Sequence, residues 1–103
     1  MIVLCYNIRV GGNNMMYEYL TFPDQTLVTH SELREKDNKK FIEVYFEKPI
    51  EGGFCSANCI LPSYEWTLIE GYSKEEIDFF TKFLVHNAGS LFKYASNGEI
   101  QIA

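Results

Sequence analysis

Three cysteines and two histidines are the side chains here best suited to metal binding or nucleophilic catalysis: Cys5, Cys55, Cys59, His30 and His86. Zinc sites draw their ligands in close pairs, because two donors on one short segment close a chelate. The sequence holds no CxxC and no HxxxH. Cys55 and Cys59 are four residues apart and would chelate from a helix, but their segment reads as a strand. At about 3.3 Å per residue their Cα atoms then stand roughly 13 Å apart. A disulfide requires less than about 7 Å, so this pair does not form one. A Cys–His nucleophile would need Cys55 or Cys59 beside His86, with Asp78 or Asn87 orienting the imidazole. Reactive thiols sit in electropositive surroundings or at helix N-termini, and neither setting is evident in so acidic a chain. The expectation is three small buried thiols and two ordinary imidazoles, with no catalytic residue, no metal and no cofactor.

The remaining chemical motifs are equally sparse. Gly11-Gly12 and Gly52-Gly53 are turn pairs and belong to neither GxGxxG nor a P-loop. Arg34, Lys36, Lys39 and Lys40 are the one basic concentration, and Glu35 and Asp37 interrupt it. With 9 basic against 14 acidic residues the chain carries a net charge of −5, which argues against a nucleic-acid partner. An odd, sparse cysteine count is not a secreted disulfide framework and points to a reduced, cytoplasmic setting. No run approaches the roughly 18 apolar residues of a membrane span, and no membrane partner is expected. The apolar start, residues 1–6, is too short for a signal sequence and has no basic residues before it.

The elements that must position any site follow from periodicity and turn chemistry. A chain of 103 residues is expected to form one domain, residues 1–103. Residues 2–10 read as a strand, broken by Gly11-Gly12-Asn13-Asn14, where glycine and asparagine tolerate positive φ. Residues 16–22 and 26–30 read as strands about a Pro23-Asp24 turn. Residues 31–40 read as a charged, solvated loop. From 41 to 48, Ile42, Val44 and Phe46 alternate with Glu43, Tyr45 and Glu47, the period of a half-buried strand. Residues 49–53 close a hairpin onto a strand at 54–61, which Pro62 ends. The stretch from Cys59 to Trp66 is expected to join sheet to helix, with Trp66 plugging the seam.

Ser73 and Glu76 make a capping box at a helix start. Ile77, Phe80, Leu84, Ala88, Leu91 and Ala95 recur at spacings of three and four, widened by Phe83 and Phe92 into an apolar stripe. Gly89 sits where a kink or break is expected, and Asn97-Gly98 is a stop signal. Residues 100–102 add a short extended segment. The fold class is α+β: an antiparallel sheet of four to five strands (about 2–61), then one kinked or two consecutive helices (about 74–97) on one face.

Strict alternation places Tyr17, Tyr19, Glu43, Tyr45 and Glu47 on the sheet face away from the helix, an acidic tyrosine surface suited to a protein partner. The competing expectation is that these tyrosines simply pair across strands. Cys59, Tyr64, Trp66 and His86 are the candidates for the wall of a pocket between sheet and helix.

Several runs carry a resemblance: residues 19–24, Phe46-Glu47-Lys48-Pro49, residues 61–66 and the helix start at residues 71–77. On these the chain resembles short bacterial proteins of uncharacterised function, built as a small sheet followed by helices. The resemblance implies a bacterial or phage origin and the same α+β build, and it implies no site residues. The leading expectation is a non-catalytic protein-interaction module of antitoxin, immunity or accessory type. The alternatives are a small enzyme or small-molecule binder using the sheet–helix pocket, and a structural homodimer.

Overall fold

The computed structural model describes residues 16–96. The strand at 2–10, its glycine-asparagine turn, Cys5, the Asn97-Gly98 stop and the extended end at 100–102 lie outside the described residues. Among the described residues six strands precede one helix: β1 (Met16–Thr21), β2 (Leu27–Ser31), β3 (Arg34–Lys36), β4 (Lys39–Ile50), β5 (Gly53–Leu61), β6 (Glu65–Glu70) and α1 (Lys74–Ser96). Every pairing is antiparallel, in the order β1-β2-β4-β5-β6, with β3 paired to the start of β4 beside this path. The α+β class therefore holds, with an antiparallel sheet followed by a helix.

Directly opposed residues share a sheet face. The rows Val28–Phe46–Ala57 and His30–Val44–Cys59 run across three strands, and Ile42 opposes Leu61. The apolar members of these rows are buried and pack with Ile77, Phe80, Leu84, Leu91 and Ala95 of the helix, and His30 is buried in the sheet. Ala88 is half-buried beside them, as are Phe83 and Phe92. The helical stripe thus faces the core as its spacing demands. Phe46 and Phe80 stack at its centre, with ring centroids 4.3 Å apart and planes within 11° of parallel. At the helix start the capping box is closed in both directions. The Glu76 amide donates to Ser73 Oγ at 3.1 Å, and the Ser73 amide donates to Glu76 Oε1 at 2.8 Å.

Three expectations change. The charged loop at 31–40 is a two-stranded ribbon: Arg34, Glu35 and Lys36 oppose Phe41, Lys40 and Lys39. Asp37 and Asn38 both take positive φ, 55° and 65°, which is the two-residue turn that matches strand twist. The ribbon has little apolar face to bury, so its sequence shows no alternation. The link from β5 toward the helix is interrupted by another strand, β6. Its entry turn has a cis Leu61–Pro62 peptide and Tyr64 at φ 61°, with the Tyr64 amide donating to the Ile60 carbonyl at 2.7 Å. Finally, the helix runs unbroken through Gly89, and nothing lies within 4 Å of where a β-carbon would be.

Candidate functional site

The β1–β2 register shifts between Glu18 and Leu20, so Tyr19 is an extra residue in its strand. A bulge of this kind interrupts strict alternation. Tyr17 opposes His30 and Leu20 opposes Val28, both on the helix side. Tyr19 and Phe22 also pack on the helix. Here the sequence expectation fails: alternation allowed Tyr17 and Tyr19 or Leu20 and Phe22 on one side, and the bulge admits both pairs. The five proposed surface residues therefore do not form one surface. Glu43, Tyr45 and Glu47 do lie on the opposite face, but Tyr45 and Glu47 are only 8% and 3% exposed. Glu43 is clamped by Arg34 at 2.7 Å and by the Asn58 side-chain amide at 3.2 Å.

What the bulge creates is an aromatic seam between β1 and α1. Phe22 meets Phe79, Phe80 and Phe83, with centroids 5.6, 5.9 and 5.0 Å away. Tyr19 continues the run, 6.1 Å from Phe83 and 6.0 Å from Tyr94, and its hydroxyl donates to Asn87 Oδ1 at 2.8 Å. Behind it, buried His30 lies between Tyr17 and Tyr19 at 5.7 and 6.3 Å. The seam is only partly covered: Phe79 is 56% exposed and Tyr94 is 42% exposed. Sequence reasoning named the two tyrosines but missed Phe79 and Tyr94. Helical geometry was the available signal, because residues 79, 83, 86, 90 and 94 follow one another at three- and four-residue spacing along one side.

The seam opens at one end into a recess of about 370 Å³, lined by Phe22, Pro23, Asp24, Glu75, Glu76, Phe79 and Phe80. Lys48 Nζ reaches its rim, 3.7 Å from both Asp24 Oδ2 and Glu76 Oε2 and 5.7 Å above the Tyr72 ring. Burial by itself would raise the Asp24 pKa. The Thr26 amide and hydroxyl and the Lys48 ammonium outweigh that and hold the carboxyl below its ordinary value. Asp24 is consequently an anion at neutral pH.

A second, larger recess of about 730 Å³ lies where the β3–β4 ribbon leaves the sheet. Lys36, Lys39, Lys40, Phe41, Ile60 and Pro62 contribute to its walls. The lysines give it the character of an anion site, tempered by Asp37 and Glu43, which also line it.

The expected sheet–helix pocket residues do not converge. Cys59 is fully buried, and burial followed by the nearby Glu65 charge pushes its thiol up to about 12. It is therefore no nucleophile near neutral pH. Trp66 is half-buried against Phe46, centroids 5.8 Å apart, and its Nε1–H donates to Thr81 Oγ1 at 3.3 Å. That is the seam-plugging role expected of it. Tyr64 packs against the core margin. His86 is exposed, and its Nδ1–H donates to the Lys82 carbonyl at 2.8 Å. None of the four lines either recess. Among the described residues no group of three His, Cys, Asp or Glu side chains is arranged to hold a metal ion. No helix among them is long and apolar enough to cross a membrane.

No family model, curated protein or solved structure matches this chain. The reading of function therefore starts from the seam and the two recesses alone.

Proposed function

We propose that this protein is a non-catalytic interaction module that receives a protein partner on the aromatic seam between β1 and α1. The observation that supports this is the exposure of Phe79 and Tyr94 along a run of rings anchored on the core. Interface hot spots favour aromatic side chains held rigidly by their neighbours, because little conformational entropy remains to be lost on binding. Phe79 leans on Phe22 and Phe80, and Tyr94 leans on Tyr19.

The test begins with proteins captured on the immobilised chain and continues with one captured protein, purified and titrated by calorimetry. Phe79→Ala and Tyr94→Ala should each weaken that binary complex by about tenfold or more, the scale of a hot-spot truncation. Phe54→Ala, an exposed ring on β5, serves as the control and should bind as wild type. Equal affinity for all four proteins refutes the seam. Light scattering on the same samples addresses the homodimer reading, which predicts a two-fold mass that both seam variants lower.

A second reading, a binder of small anions, is favoured by the lysine-walled recess at the β3–β4 ribbon. Replacing Lys36, Lys39 and Lys40 together by Gln should then abolish binding of a polyanionic probe such as tripolyphosphate, while leaving partner binding on the seam intact.

A further inference from the structure

We infer that the recess at the end of the seam takes the guanidinium group of an arginine side chain from the partner protein. The inference rests on the interaction-module reading and names the chemistry of the contact. Three observations converge on it.

The recess combines an apolar aromatic wall with an acidic rim. Phe22, Phe79 and Phe80 form the wall, and Asp24, Glu75 and Glu76 contribute carboxylates. An aromatic face beside carboxylates suits a flat cation, which stacks on the ring and hydrogen-bonds in its own plane. Arginine matches this geometry better than lysine, whose ammonium is a point charge with a tightly held hydration shell.

The local charge is not cancelled within the chain. Lys48 neutralises one of the three carboxylates, and the helix N-terminus adds about half a positive charge. The rim remains negative by roughly one and a half charges. Asp24 and Glu76 are already committed to Thr26, Ser73 and Lys48. Glu75 makes no such commitment among the described residues, and it is the carboxylate available to a fork of N–H donors.

The chain also holds a cation of its own in this way. Lys48 sits between Asp24 and Glu76 and over the Tyr72 ring, so acid and aromatic surface already cooperate around one positive charge here. The recess repeats that combination one step outward, around the exposed face of Phe79. Its volume of about 370 Å³ is near the lower end for ligand pockets, which fits a single side chain.

The test uses N-acetyl-arginine methylamide as the probe, read by the ring resonances of Phe22 and Phe79 in the intact chain. The arginine probe should shift them saturably in the millimolar range. The citrulline analogue, equally long and planar but uncharged, should bind at least roughly three- to fivefold more weakly, the scale of an exposed cation–π contact. Glu75→Gln should weaken the arginine probe by a similar factor, and raised salt should do the same. Phe79→Leu removes the exposed ring while Phe22, Phe80 and the carboxylates remain, and should reduce the preference for arginine over citrulline. Because Phe79 and Glu75 are exposed, both variants are expected to retain the wild-type circular dichroism spectrum. Equal shifts from arginine and citrulline overturn the inference, as does a flat titration. A silent probe together with Tyr94→Ala still breaking the partner complex refutes the recess while the seam stands. A bound probe together with unchanged partner affinity in both seam variants refutes the seam itself.

Discussion

Replacing Gly89 by alanine tests the helix at the position where the sequence argued for a break. In the structure α1 passes through Gly89 without interruption, and the space a β-carbon would occupy is open. The substitution therefore costs no packing and removes a glycine from a helix interior. Glycine is less favourable than alanine there by about 0.8–1 kcal/mol, partly through the greater freedom it gives the unfolded chain. For a domain of this size a gain of about 1 kcal/mol raises the Tm by roughly 4–8 °C. Urea unfolding followed by circular dichroism should show a higher midpoint with an unchanged slope, the sign of altered stability rather than altered compactness. Gly71→Ala supplies the opposite control. Gly71 has φ +86°, and an added β-carbon would stand 2.9 Å from Cys55 Sγ and 3.3 Å from the Cys55 backbone. That variant carries both conformational strain and a collision, so it should lose at least about 1 kcal/mol. A Gly89→Ala protein no more stable than wild type would refute the continuous helix.

Other substitutions test the remaining contacts. Ser73→Ala removes the hydroxyl that accepts the Glu76 amide and should cost about 1 kcal/mol by the same urea assay. Phe46→Ala empties the centre of the ring stack and should cost about 3–5 kcal/mol, enough to unfold much of the population at 37 °C. Burial holds the His30 imidazole below its ordinary pKa of 6.5, only partly opposed by its hydrogen bond to the Ser31 carbonyl. The unfolded chain then takes up a proton that the folded chain refuses. Stability from this group is complete above about pH 6.5 and falls as pH drops through that value toward the folded pKa. The urea midpoint should decline less between pH 7.5 and 5.5 in His30→Gln than in wild type, and equal declines would contradict the assignment. In a Cys5→Ser, Cys55→Ser background, Cys59 should resist a thiol reagent at pH 8 in the native state and react fully in denaturant.

The sequence and the folded chain agree where a segment has one face to bury. The alternation around Ile42, Val44 and Phe46 placed β4 correctly, because those three residues all enter the core under the helix, although Tyr45 and Glu47 on the other face are buried as well. The stripe from Ile77 to Ala95 and the Ser73 cap placed the helix for the same reason. Legibility is lost where burial stops being periodic. The β3–β4 ribbon is almost wholly exposed, so no hydrophobic pattern marks it, and only its turn carries information. In β6, a register shift opposite Asn58 and Cys59 breaks the alternation of Trp66 and Leu68. The tyrosine surface was lost partly at one residue, where the extra position at Tyr19 reversed the side assigned to two tyrosines, and partly through the burial of Tyr45 and Glu47. The seam could not be seen from either element alone, since Tyr19 and Phe22 come from β1 and the turn after it, while Phe79, Phe80, Phe83 and Tyr94 come from a helix more than fifty residues later.

The strand order has a consequence for how the chain emerges during synthesis. Each strand of β1-β2-β4-β5-β6 pairs with one made shortly before it, so the sheet can be laid down in the order it is translated. Among the described residues the helix follows every strand, yet it supplies the cover for Phe46, Ala57 and Cys59. A chain that ends before residue 77 would present the described strands with an uncovered apolar side. Such a nascent chain is a natural client for chaperones and a natural nucleus for aggregation. Slow codons or truncations in the helix are therefore expected to lower the yield of soluble protein far more than the same changes in the β3–β4 ribbon.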